Sequence, residues 1–195
     1  MSADLGDGAS PVIEEVIDDS GLRWMGRLFA STISGVTPQS VGTIAAQHEH
    51  DPDWVKLAMR DEDRRVIAAL SSHLPLTLAQ GAARFVDEDA GYQLALRTRV
   101  LEHLAVHPSH RGRGYARALL ERAEELHRGQ TDVDLWFGFL DERERGAAAF
   151  YDELGFIRVE TPAELPAPAH VLEHATLVRR GQWFYKLLIA PSPTT

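Results

Sequence analysis

Stretches of apolar residues with two different periods alternate along the chain, and they predict strands and helices in turn. Continuous or alternating apolar runs are typical of strands, whereas apolar residues at i, i+3, i+4 and i+7 indicate one face of a helix. These patterns predict strands at about residues 11–18, 54–59, 66–74, 133–140, 156–160 and 183–189, and helices at about 22–31, 38–47, 116–128 and 147–154. Residues 75–92 are predicted to form loops with one short helix. Residues 92–106 are apolar enough to be extended throughout, with a bend near Arg97.

The second half of the chain alternates strand, helix, strand, helix and strand, which is typical of a mixed α/β fold built on one sheet. With 195 residues, the chain has the size of one domain that buries a substantial core. We expect this domain to cover residues 11–190. Residues 1–10 and 191–195 are predicted to be flexible termini, because they are dominated by small, polar and proline residues.

The most informative stretch is Leu101 to Leu120 (LEHLAVHPSHRGRGYARALL), which runs from a strand through a glycine-containing loop into a helix. Pro108 ends the strand, since it lacks a backbone donor. Gly112 and Gly114 allow the backbone to approach a ligand closely, and the helix that follows adds the positive end of its dipole. Successive amide N–H groups at a helix N-terminus bind anions, so this loop is predicted to hold a phosphate or pyrophosphate.

Two common phosphate-binding motifs do not fit this loop. A P-loop requires Gly-Lys-Ser/Thr, and no lysine follows these glycines; a dinucleotide-binding motif requires a third glycine where Arg117 stands. The residues instead read Arg-x-x-Gly-x-Ala, with Arg111, Gly114 and Ala116 directly after a strand that ends in Leu-Ala-Val. This pattern resembles the acetyl-CoA-binding motif of the GNAT N-acetyltransferase superfamily.

A second segment, FYDELGF at residues 150–156, resembles the helix-to-strand segment of GNAT enzymes. It follows the first motif in the family's order and at about its spacing, with one strand between them. In that family a tyrosine at the position of Tyr151 lies near the CoA sulfur. The resemblance covers about residues 54–189 and has one departure, since family members often carry an asparagine where this chain has Glu144.

The resemblance implies a fold, a co-substrate and a set of contacts. The fold is a single GNAT-like domain with a central, mostly antiparallel, twisted sheet that is splayed at the CoA site and flanked by helices. The co-substrate is acetyl-CoA, whose pantetheine arm pairs with the strand backbone and whose pyrophosphate binds the loop amides. The implied cofactor-binding residues are Leu104, Ala105, Val106, Arg111, Gly112, Arg113, Gly114, Tyr115 and Ala116.

Acetyl transfer to an amine requires a base for the amine, a polarised thioester and an acid for the departing thiolate. The implied acid is Tyr151, whose alternative role is packing on the apolar face of its helix. The implied base is Glu102, two residues before the CoA-pairing segment, where several GNAT enzymes place their base; the alternative is a carboxylate at the sheet surface. His103 is a rival base, but strict alternation puts it with Ala105 on one face of the strand and Glu102 with Leu104 on the other.

Composition narrows the range of partners. The net charge of −9 argues against a nucleic-acid partner, since phosphate binding needs a basic surface, and it is compatible with a cationic amine. The chain has no cysteine, which excludes an acetyl-cysteine intermediate, so the amine is expected to attack the thioester directly. No apolar run reaches the ~20 residues of a membrane span, and the N-terminal segment lacks the pattern of a secretory signal. We therefore expect a cytoplasmic protein with no membrane partner.

His48, Glu49, His50 and Asp51 superficially suggest metal ligands. Their spacing does not put both histidines on one helix face, and acidic loop residues are usually solvated, so no metal is expected.

Two functions remain open on the sequence alone. One is transfer of an acetyl group from acetyl-CoA to a primary amine of a small molecule or protein; the other is a regulatory or sensor module that binds CoA or acyl-CoA without turnover. The sequence determines neither the acceptor, nor the length of the acyl group, nor the oligomeric state, for which a homodimer is one alternative.

Overall fold

The protein is described here from a computed structural model, in residues 11–47, 51, 53–130, 132–174 and 180–188. Within these residues a seven-stranded sheet is flanked by helices. The strands are β1 (Ile13–Glu15), β2 (Val55–Arg60), β3 (Val66–His73), β4 (Thr98–Val106), β5 (Leu135–Asp141), β6 (Ile157–Val159) and β7 (Gly181–Leu187). The α-helices are α1 (Asp19–Thr32), α2 (Pro38–Gln47), α3 (Leu76–Ala83), α4 (Glu88–Arg97), α5 (Tyr115–Arg128) and α6 (Ala148–Glu153). Short 3-10 helices cover Pro108–His110, Glu142–Ala147, Pro162–Glu164 and Ala169–His174.

The sheet has the order β1-β2-β3-β4-β5-β7-β6. Only the central pair, β4 and β5, is parallel in the described sheet, and the other pairs are antiparallel. A parallel pair needs a crossover connection, and α5 supplies it. The expectation of a mixed, mostly antiparallel sheet is confirmed.

The two central strands separate soon after they meet. Parallel pairing of β4 with β5 runs from Thr98 and Leu135 to Leu101 and Gly138 and then stops, although both strands continue. On its other side, β4 stays paired with β3 as far as Val106. The sheet is therefore splayed between the second halves of β4 and β5, as expected.

Apolar side chains fill both faces of the sheet. On one face, α5 and α6 pack on residues of β3 and β5 such as Leu70 and Trp136, both fully buried. On the other face, α1 covers Ala69 and its neighbours, and α3, α4 and the 3-10 helix Ala169–His174 cover Phe137 and its neighbours. The central strand β5 packs on both faces, which explains its nearly continuous apolar sequence.

A buried hydrogen-bonded network ties the paired ends of β4 and β5 to α5. His127 Nδ1 donates to Gln130 Oε1 at 3.2 Å, and its Nε2 accepts from Ser72 Oγ at 2.8 Å. Trp136 Nε1 donates to the same hydroxyl at 3.0 Å. Arg99, with a side chain 2% exposed, donates to Gln130 Oε1 and to Asp53 Oδ2. The network satisfies polar groups that would otherwise be costly to bury.

Most predicted elements lie where expected, but the segment before β4 does not. Residues 92–106 were expected to be extended throughout, and this prediction is wrong, because 92–97 belong to α4. The Asp87 side chain caps α4 by accepting from Ala90 N. Gly91 lets α4 lie against α3, since a Cβ there would stand 2.8 Å from the Ala79 carbonyl oxygen. Residues 75–92, expected to hold one short helix, instead carry α3 and the start of α4, which pack on each other.

Some sequence predictions fall outside the described residues. These are the flexible termini at 1–10 and 191–195 and the metal alternative at His48, Glu49 and His50. In the part of the chain that is described, no helix combines the length and the apolar character needed to cross a membrane.

The buried His127 makes stability depend on pH. Burial lowers its pKa to about 4, against about 6.5 in an unfolded chain. The unfolded state therefore binds the extra proton first, so the free energy of unfolding falls as pH drops from about 6.5 to about 4, by on the order of 3 kcal/mol from this group. Urea unfolding across this range is expected to show a smaller pH-dependent loss in His127→Gln than in the unmodified protein. His174→Gln, which changes an exposed histidine, is the control. Equal pH dependence in His127→Gln and the unmodified protein would contradict the assignment.

Candidate active site

A cleft opens where β4 and β5 separate. Its volume is about 910 Å³, and its walls come from the second halves of both strands, the loop before α5, the start of α5 and the segment around α6. The C-terminal end of α1 closes one side through Thr32 and Ile33. Because separated strands leave backbone groups without a strand partner, the cleft is a place where an extended ligand can pair with the sheet.

The loop before α5 has the backbone that its glycines predict. Gly112 and Gly114 adopt φ values of +75° and +80°, and a Cβ at either position would meet nothing within 4 Å. The start of α5 has no side-chain cap and no acidic residue in its first turn. The amides of Tyr115 and Ala116 therefore remain for a ligand at the positive end of the helix, which suits a phosphate or pyrophosphate.

The edge of β4 lies next to this loop. Leu104, Ala105 and Val106 all line the cleft, beyond the last residue that pairs with β5. Every second residue of a strand directs its N–H and C=O to the same side. The edge facing the cleft therefore presents backbone groups suited to an extended chain such as a pantetheine arm.

The arginines near the predicted pyrophosphate site differ in whether they line the cleft. Arg111 lines the cleft and donates from Nε to the Val106 carbonyl at 3.3 Å. Arg113 is exposed and is not among the residues lining the cleft, unlike the other eight predicted cofactor-binding residues. Arg117, not included in the predicted set, lines the cleft and pairs with Glu153 of α6 at 3.2 Å.

Tyr151 belongs both to the core and to the cleft wall. Its ring stacks on Phe184 with centroids 4.3 Å apart, and it is only 7% exposed. Gly138 makes room for this arrangement, since a Cβ there would overlap the Phe184 ring. Burial raises the pKa of Tyr151, and the negative charge of Glu144 adds to the rise. The phenol is therefore protonated at neutral pH and able to donate a proton into the cleft.

Glu102 lines the same cleft as Leu104, whereas His103 and Ala105 contact the α1 side, as expected. Ser71 pairs with His103 and Ser72 with Leu101, so Glu102 is the extra residue of a β-bulge. The sequence pattern did not predict this bulge. The Glu102 side chain is 34% exposed, with Oε2 4.0 Å from His73 Nε2.

His103, the rival base, lies elsewhere. It stacks on Phe29 of α1 with ring centroids 4.8 Å apart and is 6% exposed. Burial lowers the pKa of His103, which favours the neutral ring. His103 is not among the residues that line the cleft, which agrees with its expected place on the other face.

Sequence reasoning missed a group of polar residues at the opposite rim. Arg143 pairs with Asp141 through contacts of 2.8 and 2.9 Å. Glu144 Oε1 accepts from the backbone N–H of Ser34 at 3.4 Å, which links this rim to the segment between α1 and α2. The side chains of Asp141, Arg143 and Glu144 all line the cleft. The acidic and basic run DERER was visible in the sequence, but nothing local showed that it follows directly on the splayed strand.

The comparisons with known proteins agree with this geometry. The family model of the acetyltransferase (GNAT) domain matches residues 62–158. A GNAT-family acetyltransferase from Staphylococcus aureus Mu50 superposes with a TM-score of 0.65 at 12% identity, over 92% of this chain and 100% of the other. The ribosomal-protein-S18-alanine N-acetyltransferase of Escherichia coli gives 0.60 at 14% identity, over 95% and 99%. A spermidine/spermine N-acetyltransferase of Vibrio cholerae, solved with manganese ions, gives 0.55 at 15% identity, over 92% and 94%.

At these identities the superpositions establish the fold, and no curated protein sequence matches the chain. The family match covers β3, β4, β5, the glycine-containing loop and Tyr151, and it identifies an acetyltransferase domain. The chain belongs to the GNAT acetyltransferase superfamily.

Among the described residues, no group of three or more histidine, aspartate or glutamate side chains is arranged to hold a metal ion. The absence of a metal from the reaction stays a prediction.

Gly114 provides a test of the loop. Gly114→Ala places a Cβ where the pyrophosphate is expected to approach, so CoA affinity is expected to fall at least ~10-fold. Gly155→Ala is the matched control, because Gly155 has φ of +79°, a Cβ there would make only an ordinary contact with Lys186 Cε at 3.9 Å, and Gly155 does not line the cleft. Both changes carry the same backbone strain, of about 1 kcal/mol. Calorimetric titration with CoA distinguishes them, and unchanged affinity in a folded Gly114→Ala protein would refute this role for the loop.

Proposed function

We propose that the protein transfers an acetyl group from acetyl-CoA to a primary amine of a small molecule or protein, by direct attack of the amine on the thioester. One observation carries the proposal: the anion-binding loop, the β4 edge, Tyr151 and Glu102 all line one cleft. A binding module without turnover needs the first two features but has no use for an acid and a base in the same cleft.

The residues present suit acetyl-CoA as the co-substrate. The amides at 114–116 and Arg111 are placed to hold the pyrophosphate, and Leu104, Ala105 and Val106 to pair with the pantetheine arm. This arrangement directs the thioester towards the point where β4 and β5 part. Proximity of this kind replaces an encounter in solution by a reaction between bound groups.

Glu102 is proposed as the base. An acceptor amine with a pKa near ~10 is mostly protonated at neutral pH, so one proton must leave before attack. Glu102 is exposed to the cleft at the bulge of β4, immediately before the edge assigned to the pantetheine arm. Its carboxylate accepts the ammonium proton, and the amine lone pair then attacks the thioester carbonyl.

Tyr151 is proposed as the acid. As the tetrahedral intermediate collapses, the C–S bond breaks and the electron pair goes to sulfur. The phenol hydrogen of Tyr151 then neutralises the thiolate, and the second proton on the attacking nitrogen leaves to restore the phenol. That phenol is protonated at neutral pH, so its hydrogen is available when the thiolate forms.

The acceptor is proposed to carry positive charge. Arg143 is neutralised by Asp141, which leaves the carboxylates of Glu102 and Glu144 facing the acceptor side of the cleft. The structural neighbours named for their substrates act on spermidine and spermine and on the alanine of a ribosomal protein, and both kinds of substrate present an amine. A cationic amine also suits the overall charge of −9.

Release of CoA thiol from acetyl-CoA tests the proposed function. A panel of diamines, monoamines and peptides with free N-termini or lysines is supplied in turn, and the products are weighed by mass spectrometry. The proposal expects thiol release that depends on an amine, together with a product heavier by one acetyl group. CoA binding with no amine-dependent release in the whole panel would favour the binding module instead.

Tyr151→Phe separates the chemical role of this residue from its packing role. The variant keeps the ring that stacks on Phe184 and loses only the hydroxyl. We expect kcat to fall roughly 100-fold, as for loss of a general acid, with CoA affinity nearly unchanged. Tyr92→Phe, at a tyrosine 61% exposed outside the cleft, is the control. If Tyr151→Phe turned over as fast as the unmodified enzyme, the residue would be core packing alone and solvent would supply the proton.

A further inference from the structure

His73 lies behind Glu102, outside the cleft. It is the last residue of β3, 5% exposed, and it is not among the residues that line the cleft. Its ring therefore forms no part of the cleft wall. Its charged neighbour Glu102 does lie in the cleft wall.

The hydrogen bonding of His73 fixes which ring nitrogen faces Glu102. Nδ1 lies 2.7 Å from the Leu74 carbonyl oxygen. A carbonyl only accepts, so Nδ1 carries a hydrogen. The second proton of an imidazolium must then bind Nε2, the atom 4.0 Å from Glu102 Oε2. At that separation the two groups form an ion pair when the ring is protonated and no hydrogen bond when it is neutral.

The surroundings hold the His73 ring in place. The Trp54 ring meets the His73 ring edge to face at 6.5 Å, and Trp54 is itself tied to Ser71 by a hydrogen bond of 3.0 Å. Glu102 lies at the β-bulge, opposite the end of β3 where His73 lies.

Charged and titratable groups approach His73 from two sides. From β4 they are Glu102 and His103, and the negative charge of Glu102 acts on both rings. On the Trp54 side, Lys56 Nζ lies 4.2 Å from the centre of the indole ring and interacts with Asp51. Glu102 places a negative charge 4.0 Å from His73 Nε2.

We propose that His73 is a positioning residue for Glu102, and that protonation of its Nε2 sets the pH below which Glu102 is withheld from the acceptor amine. This inference rests on the proposed function. With His73 neutral, the carboxylate is available to take a proton from the ammonium. With His73 protonated, the carboxylate is held in an ion pair at the cleft wall and is a weaker base. The acidic limb of the pH–rate profile then belongs to the pair rather than to a lone carboxyl group.

The first test does not depend on turnover. The titration of the His73 ring is followed by NMR in the unmodified protein and in Glu102→Gln. Removing the carboxylate removes the charge that favours the imidazolium, so His73 is expected to titrate at least about one pH unit lower in the variant. His127 serves as an internal control, since it lies in the buried network away from the cleft. An unchanged His73 titration would overturn the proposal.

The second test uses the pH dependence of kcat/KM, with an amine found in the panel. Glutamine places a non-titrating amide near the position of Nε2, so His73→Gln is expected to move the acidic limb to lower pH by about one unit or more, because an imidazole titrates near 6.5 and a carboxyl near 4.3. The KM for acetyl-CoA is expected to stay the same. His107→Gln, an exposed histidine outside the cleft lining, is the control and should leave the limb in place.

The NMR titration and the pH dependence of kcat/KM distinguish a failure of the proposed function from a failure of the proposed role of His73. Lack of turnover with every amine refutes the proposed function but leaves the NMR result to decide whether His73 and Glu102 are coupled. Turnover with the acidic limb unmoved in a folded His73→Gln protein refutes the role of His73 and leaves the proposed function standing.

Discussion

The rest of the site depends on the short pairing between β4 and β5. The two strands share backbone hydrogen bonds from Thr98 and Leu135 to Leu101 and Gly138 and then part. If the pairing continued further, β5 would occupy the backbone hydrogen-bonding groups of β4 and close the cleft. If it were shorter, the start of β4 would lose its hydrogen bonds to β5. This limited pairing also places the start of α5, the bulge at Glu102 and the ring of Tyr151 around a single space.

Packing on either side of the point where β4 and β5 part explains why the cleft between them stays open. At the paired end, the network of Arg99, Gln130, His127, Ser72 and Trp136 joins three strands to α5. At the open end, Phe184 lies across Gly138 and packs against Tyr151. Close-packed interiors resist local closure, so one end is fixed by polar contacts and the other by aromatic rings.

The parts of the site that the sequence predicts are those set by local chemistry. Gly112 and Gly114 adopt the backbone that only glycine takes easily, and the helix after them starts where its apolar period starts. The bulge at Glu102 and the helical state of 92–97 were not predictable in the same way. The strand register depends on a partner far along the chain, and an alternating pattern of apolar residues does not show where one extra residue is inserted. The helical state of 92–97 depends on packing against α3, which the apolar content of the segment does not show. The same holds for Glu144, whose contact with Ser34 spans 110 residues.

The packing of Tyr151 and its proposed chemistry have one physical cause. A phenol enclosed by Phe184 and Phe156 loses water around its oxygen, which disfavours the phenolate. The enclosed phenol therefore carries its proton when the thiolate forms, although the raised pKa makes it a weaker acid than a solvated phenol. The two interpretations of Tyr151 from the sequence, packing and catalysis, are therefore not alternatives. Burial acts in the same way on His103, where packing against Phe29 disfavours the imidazolium and leaves a neutral ring outside the cleft. Desolvation thus favours the uncharged form on both faces of the sheet, a protonated phenol on one and a neutral imidazole on the other.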